Sequence, residues 1–126
     1  MWIFNSANGD PMLLDTEMEL RALHDRFIAF LASEERAVSF SAQTTSDPSP
    51  YAEFLGGLRV RKTDADPELR FTEDRWLELS GRLEDLRDFA EKILVTEEQG
   101  HRHWYGVPVS LIFDADNYWP TEHAGS

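Results

Sequence analysis

A chain of 126 residues has the size of one domain, and it carries a formal charge of -12 with no cysteine. That composition excludes disulfides, thiol nucleophiles and cysteine-based zinc sites. The carboxylate excess argues against direct contact with nucleic acid, whose phosphates it would repel.

The first element is a short β-type run, Trp2-Ile3-Phe4, closed by the turn-rich stretch from Asn5 to Pro11. Thr16 followed three residues on by Glu19 matches a capping box and opens a helix. Leu20, Leu23, Phe27, Phe30 and Leu31 then lay one apolar stripe at helical period, and Ser33-Glu34-Glu35 ends it. Val38 and Phe40 alternate with Ser39 and Ser41 as a half-buried strand. Residues 43–50, rich in Thr, Ser and Pro, read as an exposed loop, and Tyr51 to Leu55 as an extra turn before Gly56-Gly57.

Three strands follow in quick succession around Leu58 and Val60, Leu69 and Phe71, and Leu77 and Leu79, and their short connections predict an antiparallel meander with one oily face. Ser80-Gly81 offers an N-cap to a second helix, whose stripe is Leu83, Leu86, Phe89, Ala90, Ile93 and Leu94. Its solvent side holds Glu84, Asp85, Asp88 and Glu91, with Arg87 and Lys92 in reach as ion-pair partners of Glu84 and Asp88. Gly100 ends this element, His101 to Val107 is extended, and Val109 to Phe113 is a clear strand. The expected fold is α+β, a two-layer sandwich of a mostly antiparallel sheet with two helices packed on one face. Residues 1–126 make one domain, with 117–126 as a polar tail. No apolar run nears the ~18 residues of a membrane span. Met1 to Asn5 lacks the basic and long apolar regions of a signal peptide, so a cytoplasmic protein is expected.

The charge is unevenly placed. Residues 1–63 hold nine acidic and six basic side chains, and residues 64–126 hold fifteen and six, so the halves carry -3 and -9. A lopsided field of this kind attracts partners of opposite sign and speeds encounter. It equally keeps a domain soluble.

Three groups of residues invite a chemical reading. His101 and His103, two apart in an extended segment, point to one face and are close enough to share a metal or bracket a substrate. A zinc site needs a third ligand, for which Asp114, Asp116 and His123 are only neighbours in sequence, and plain hydrogen bonding of two strand histidines fits as well. Asp114 and Asp116 start like a calcium loop, but the glycine and the distant glutamate are missing. What remains there is two acids beside Tyr118 and Trp119, which suit an interface with a basic partner. Trp119 folding back over a sheet edge is an equal alternative. No nucleophile elbow, P-loop or dinucleotide fingerprint is present. Gly56-Gly57 precedes a strand and so cannot cradle phosphate at a helix N-terminus.

The second half runs Gly57-Leu58-Arg59-Val60, Leu69-Arg70-Phe71, Leu77-Glu78-Leu79-Ser80-Gly81, a helix of the type Leu83-x-x-Leu86, then His101-x-His103-Trp104-Tyr105 and Val109 to Phe113. Across residues 55–115 this rhythm resembles the small immunity proteins of bacterial polymorphic-toxin systems, in particular the family usually called immunity protein thirty-two. The resemblance implies a protein that binds and neutralises a cognate toxin stoichiometrically, without catalysis and without a cofactor or bound metal. Many such toxins are nucleases with basic grooves, which an acidic protein plugs by mimicking nucleic-acid charge. Residues expected to face the toxin are Glu73, Asp74, His101, His103, Asp114, Asp116, Tyr118 and Trp119. A small metal-dependent enzyme built on His101 and His103, and an oligomeric adaptor burying Tyr118 and Trp119 against a second copy, are the rival expectations. The sequence names no oligomeric state.

Overall fold

The computed structural model describes residues 1–5, 9–44 and 53–117. Among the described residues nine strands and two helices follow in the order β1 (Trp2–Asn5), β2 (Met12–Asp15), α1 (Glu17–Ala32), β3 (Ala37–Ser41), β4 (Glu53–Leu55), β5 (Gly57–Lys62), β6 (Glu68–Phe71), β7 (Leu77–Gly81), α2 (Leu83–Ile93), β8 (His101–Trp104) and β9 (Leu111–Ala115). The fold is α+β, and the strands are divided between two mixed, mostly antiparallel sheets. The five-stranded sheet has the order β4-β1-β2-β9-β8, and the four-stranded sheet has the order β3-β5-β7-β6. Among the described residues no helix is long and apolar enough to cross a membrane.

Helix α1 buries the whole stripe its sequence displays, whereas α2 buries the middle of its own and leaves the two ends, Leu83 and Leu94, exposed. In α1, Leu20, Leu23, Phe27, Phe30 and Leu31 are buried, and Thr16 caps the first turn by accepting from the Glu19 N–H at 3.2 Å. Asp15 takes the other half of the box, its carboxylate accepting from the Thr16 N–H at 2.8 Å. The same carboxylate lies 2.7 Å from the Met1 amine, both side chains almost wholly out of solvent. In α2, Leu86, Phe89, Ala90 and Ile93 are buried. The N-cap of α2 is Arg82, one residue beyond the expected Ser80-Gly81 pair, which stays in β7. Asp85 accepts from the Arg82 N–H.

The helices join the two sheets through a relay of rings. Phe40 of the four-stranded sheet stacks on Phe27 of α1 at 6.1 Å, and Phe27 stacks on Phe89 of α2 at 5.6 Å. Phe89 in turn meets Trp104 and Phe113 of the five-stranded sheet edge-on, at 5.2 and 5.1 Å. Buried residues of both sheets and both helices therefore form one core. Trp2, Phe4 and Leu14 form a second buried cluster, with Met12 and Phe54 packed against it. They alternate with the core residues Ile3 and Leu13, so this cluster lies on the opposite, outer face of the five-stranded sheet.

The strand arrangement departs from a meander. β6 and β7 form the expected antiparallel hairpin, but β7 runs parallel to β5, with Arg59 opposite Glu78 and Val60 opposite Leu79. β6 is thus displaced to the sheet edge. The cause lies at Gly56-Gly57, where the chain leaves β4 in one sheet and enters β5 in the other. The Trp76 indole, just ahead of β7, occupies the space that side chains at both glycines would need. The Gly56 N–H donates to the Arg75 carbonyl at 2.8 Å, which seats the β6–β7 turn there and brings β7 beside β5. Two further strands differ from expectation. β2 occupies Met12–Asp15, between the expected turn and helix, where no element was expected, and β4 replaces the extra turn before Gly56, although residues 51 and 52 lie outside the described set. The last strand begins two residues later than the Val109 start.

Candidate functional site

The outer face of the five-stranded sheet carries the histidines and the C-terminal acids. β8 and β9 are antiparallel, with His101 opposite Asp114 and His103 opposite Ile112. β9 and β2 are parallel, with Asp114 beside Leu14 and Ile112 beside Met12. Residues directly opposite across a sheet share a face, so one row runs His101, Asp114, Leu14, Trp2 and the next runs His103, Ile112, Met12, Phe4, Phe54. The face grades from polar at its β8 edge to aromatic at its β4 edge. At the polar edge the rings of His101 and His103 meet at 5.5 Å, and His103 stacks on Tyr105 at 5.6 Å, with the planes 10° apart. Tyr105 is 80% exposed, so this short stack faces solvent.

Asp114 is half-buried in that row. Burial pushes its carboxyl above the ordinary range, His101 opposes the shift, and Asp116 adds to it. A carboxylate held where ionisation is disfavoured costs the fold some stability, a pattern frequent at functional positions.

The segment that follows is tied to two others. The Asp116 N–H donates to the Asp15 carbonyl at 3.0 Å, and the Ala115 N–H to the Gly100 carbonyl at 3.2 Å. Asn117 donates its N–H to the Glu97 carboxylate at 2.8 Å and accepts from the Glu17 N–H at 2.9 Å through its side-chain oxygen. The Glu17 carboxylate in turn accepts from the Glu97 N–H. Glu17, Glu97, Asp114 and Asp116 are thereby gathered at one end of the sheet from three separate stretches of chain. Sequence reasoning found the two aspartates but missed Glu17 and Glu97, because only the folded contacts bring residues 17, 97 and 117 together.

Glu73 and Asp74 lie elsewhere, in the β6–β7 turn beside the other edge of this sheet. Asp74 is committed internally. Its carboxylate receives the Arg59 guanidinium at 2.5 Å and the Thr72 hydroxyl, and these bonds hold its pKa down at about 2. Arg59 also lies over the Trp76 ring at 4.5 Å. Glu73 is exposed. The structure thus separates the expected contact residues into two groups, one at the β8–β9 edge and one at the β6–β7 turn. Tyr118 and Trp119 lie outside the described residues, as does His123. Among the described residues no three His, Asp or Glu side chains come close enough together to hold a metal ion.

A groove elsewhere on the molecule has a different chemistry. An open groove of about 520 Å³ is lined by Arg36, Lys62, Thr63, Asp64, Arg82, Leu83, Glu84 and Arg87. The ion pairs expected along α2, Glu84 with Arg87 and Asp88 with Lys92, are absent among the described residues, although Glu84 and Arg87 line the same groove. Compared with models of known families, with curated proteins and with solved structures, the chain matches none.

Proposed function

We propose that this protein is a non-catalytic inhibitor of the immunity type, which binds a basic protein toxin stoichiometrically through the β8–β9 edge of the five-stranded sheet. The observation that carries the reading is the grouping of Asp114, Asp116, Glu17 and Glu97 beside the solvent-facing His101–His103–Tyr105 stack. Main-chain N–H groups hold the Glu17 and Glu97 carboxylates, and main-chain bonds fix the backbone at Ala115 and Asp116, so less ordering entropy is lost on docking. The carboxylates supply a field that draws in a cationic surface, and the rings supply apolar contact area. The -9 carried by residues 64–126 acts in the same sense at longer range.

The test is to purify the product of the gene adjacent to this one and mix it with this chain. The proposal expects a 1:1 complex and loss of the neighbour's toxicity in cells that co-express the two. If the two do not associate, or if toxicity persists although they associate, the inhibitor reading is wrong.

A further inference from the structure

The groove between β5, the α1–β3 loop and the start of α2 is basic in a strongly acidic chain. Four cations, Arg36, Lys62, Arg82 and Arg87, line it against two acids, Asp64 and Glu84; with Arg82 neutralised by acids outside the lining, the other three cations exceed the two lining acids by one. Two of the four are already placed. Lys62 donates to the Ser33 carbonyl at 2.8 Å and lies over the Phe30 ring at 4.5 Å, so its position is fixed by neutral partners and its charge is left uncompensated. Arg82 is held by Asp66 at 3.1 Å and Asp85 at 4.0 Å. The other two, Arg36 and Arg87, are exposed and make no ion pair among the described residues.

The walls are set by main-chain bonds. The Lys62 N–H donates to the Arg36 carbonyl at 2.9 Å, and the Thr63 N–H to the Gly81 carbonyl at 2.8 Å, so the three segments that carry the cations keep their spacing. The lining includes Leu83, which is 43% exposed. A volume of this size lies within the ordinary range for small-molecule sites, about 300–1,000 Å³.

We propose that this groove binds a small organic phosphate of mononucleotide size. Guanidinium forks pair with phosphate oxygens two at a time, and Arg36 and Arg87 are the two forks in the lining without an ion-pair partner among the described residues. Lys62 adds a point charge, and Leu83 with the aliphatic stems of the arginines offers the apolar surface that a sugar or base covers. An isolated carboxylate has too few oxygens to engage both forks and Lys62 at once. The remaining molecule is negative and repels anions at long range, so retention rests on these short contacts within the ~8 Å Debye length of physiological salt.

The experiment is isothermal titration of the full chain with AMP, pyrophosphate, adenosine and succinate as separate probes. AMP and pyrophosphate are expected to bind, and adenosine and succinate to bind at least tenfold more weakly. Arg36→Ala and Arg87→Ala are each expected to weaken AMP about tenfold, near 1.4 kcal/mol, with unchanged circular dichroism because neither side chain has a described folding partner. Failure of AMP and pyrophosphate to bind, binding that survives the double variant, or succinate binding as well as pyrophosphate each overturns the proposal. None of these outcomes bears on the toxin-binding reading, which uses a different edge of the molecule.

Discussion

Removing the Phe89 ring should uncouple the two sheets. Phe89 is fully buried and touches Phe27, Trp104 and Phe113, so it is the ring through which the helix pair reaches the five-stranded sheet. Phe89→Ala removes the burial and leaves a cavity, at a cost of about 3–5 kcal/mol. Three aromatic neighbours, each worth about 0.5–1.5 kcal/mol beyond area, place it toward the upper end. A domain of this size is stable by only about 5–15 kcal/mol. At about 2.1 cal/mol/K per residue, 126 residues unfold with an entropy near 0.26 kcal/mol/K, so a loss of 4 kcal/mol lowers Tm by about 15 °C. Guanidinium melts followed by far-UV and near-UV circular dichroism measure the loss directly. The wild type is expected to unfold in one transition by both probes. A loss below about 1 kcal/mol, or two separate wild-type transitions, would refute a core shared by both sheets.

Three other outcomes follow from local geometry. Gly57→Ala places a methyl against the Phe40 carbonyl oxygen and 2.6 Å from the Trp76 ring, and should cost about 1–3 kcal/mol in the same melts, whereas a neutral effect would show that Trp76 does not seat there. The Asp74 carboxyl is depressed in the fold, so its contribution is complete above the unfolded value near 3.9 and lost as pH falls through about 2. Asp74→Asn should therefore flatten the fall in denaturant midpoint between pH 4 and pH 2, and an unaltered slope would discount the Arg59 pairing. Asp114 shifts the other way, so its charged form burdens the fold above the raised pKa and the burden disappears below the unfolded one. Asp114→Asn should be at least as stable as wild type at pH 7, with the advantage shrinking at pH 3, and a clear destabilisation at pH 7 would show that the carboxylate is structurally needed.

Both helices were legible because a one-sided stripe has only one economical solution. Leu20, Leu23 and Phe27, and Leu86, Phe89 and Ile93, face the core as their spacing requires. The alternating strands β3, β5 and β7 were legible for the same reason, since one face of that sheet is wet, whereas in edge strand β6 only Leu69 is buried and Phe71 is exposed. β2 was not, because Met12-Leu13-Leu14 is apolar throughout. Leu13 enters the main core while Leu14 enters the outer cluster, and a strand covered on both faces shows no period-two signal. The parallel pairing of β5 with β7 was also hidden, since alternation is the same in either direction, and what decides it is the seat of Trp76 on Gly56-Gly57. At the site, the His101–Asp114 pairing depends on register, which a two-residue error in the start of β9 conceals. The groove escaped notice because its cations come from positions 36, 62, 82 and 87, none of which forms a local motif.

Docking through the β8–β9 edge shows most directly in the rate at which this chain meets a cationic partner. Stopped-flow association with the purified neighbouring gene product should be measured at low and physiological salt for the wild type and for the Asp114→Lys, Asp116→Lys double variant. Steering through the β8–β9 edge predicts a rate at least about tenfold slower for the variant at low salt, with a shallower salt dependence. Equal rates and equal salt slopes would contradict it.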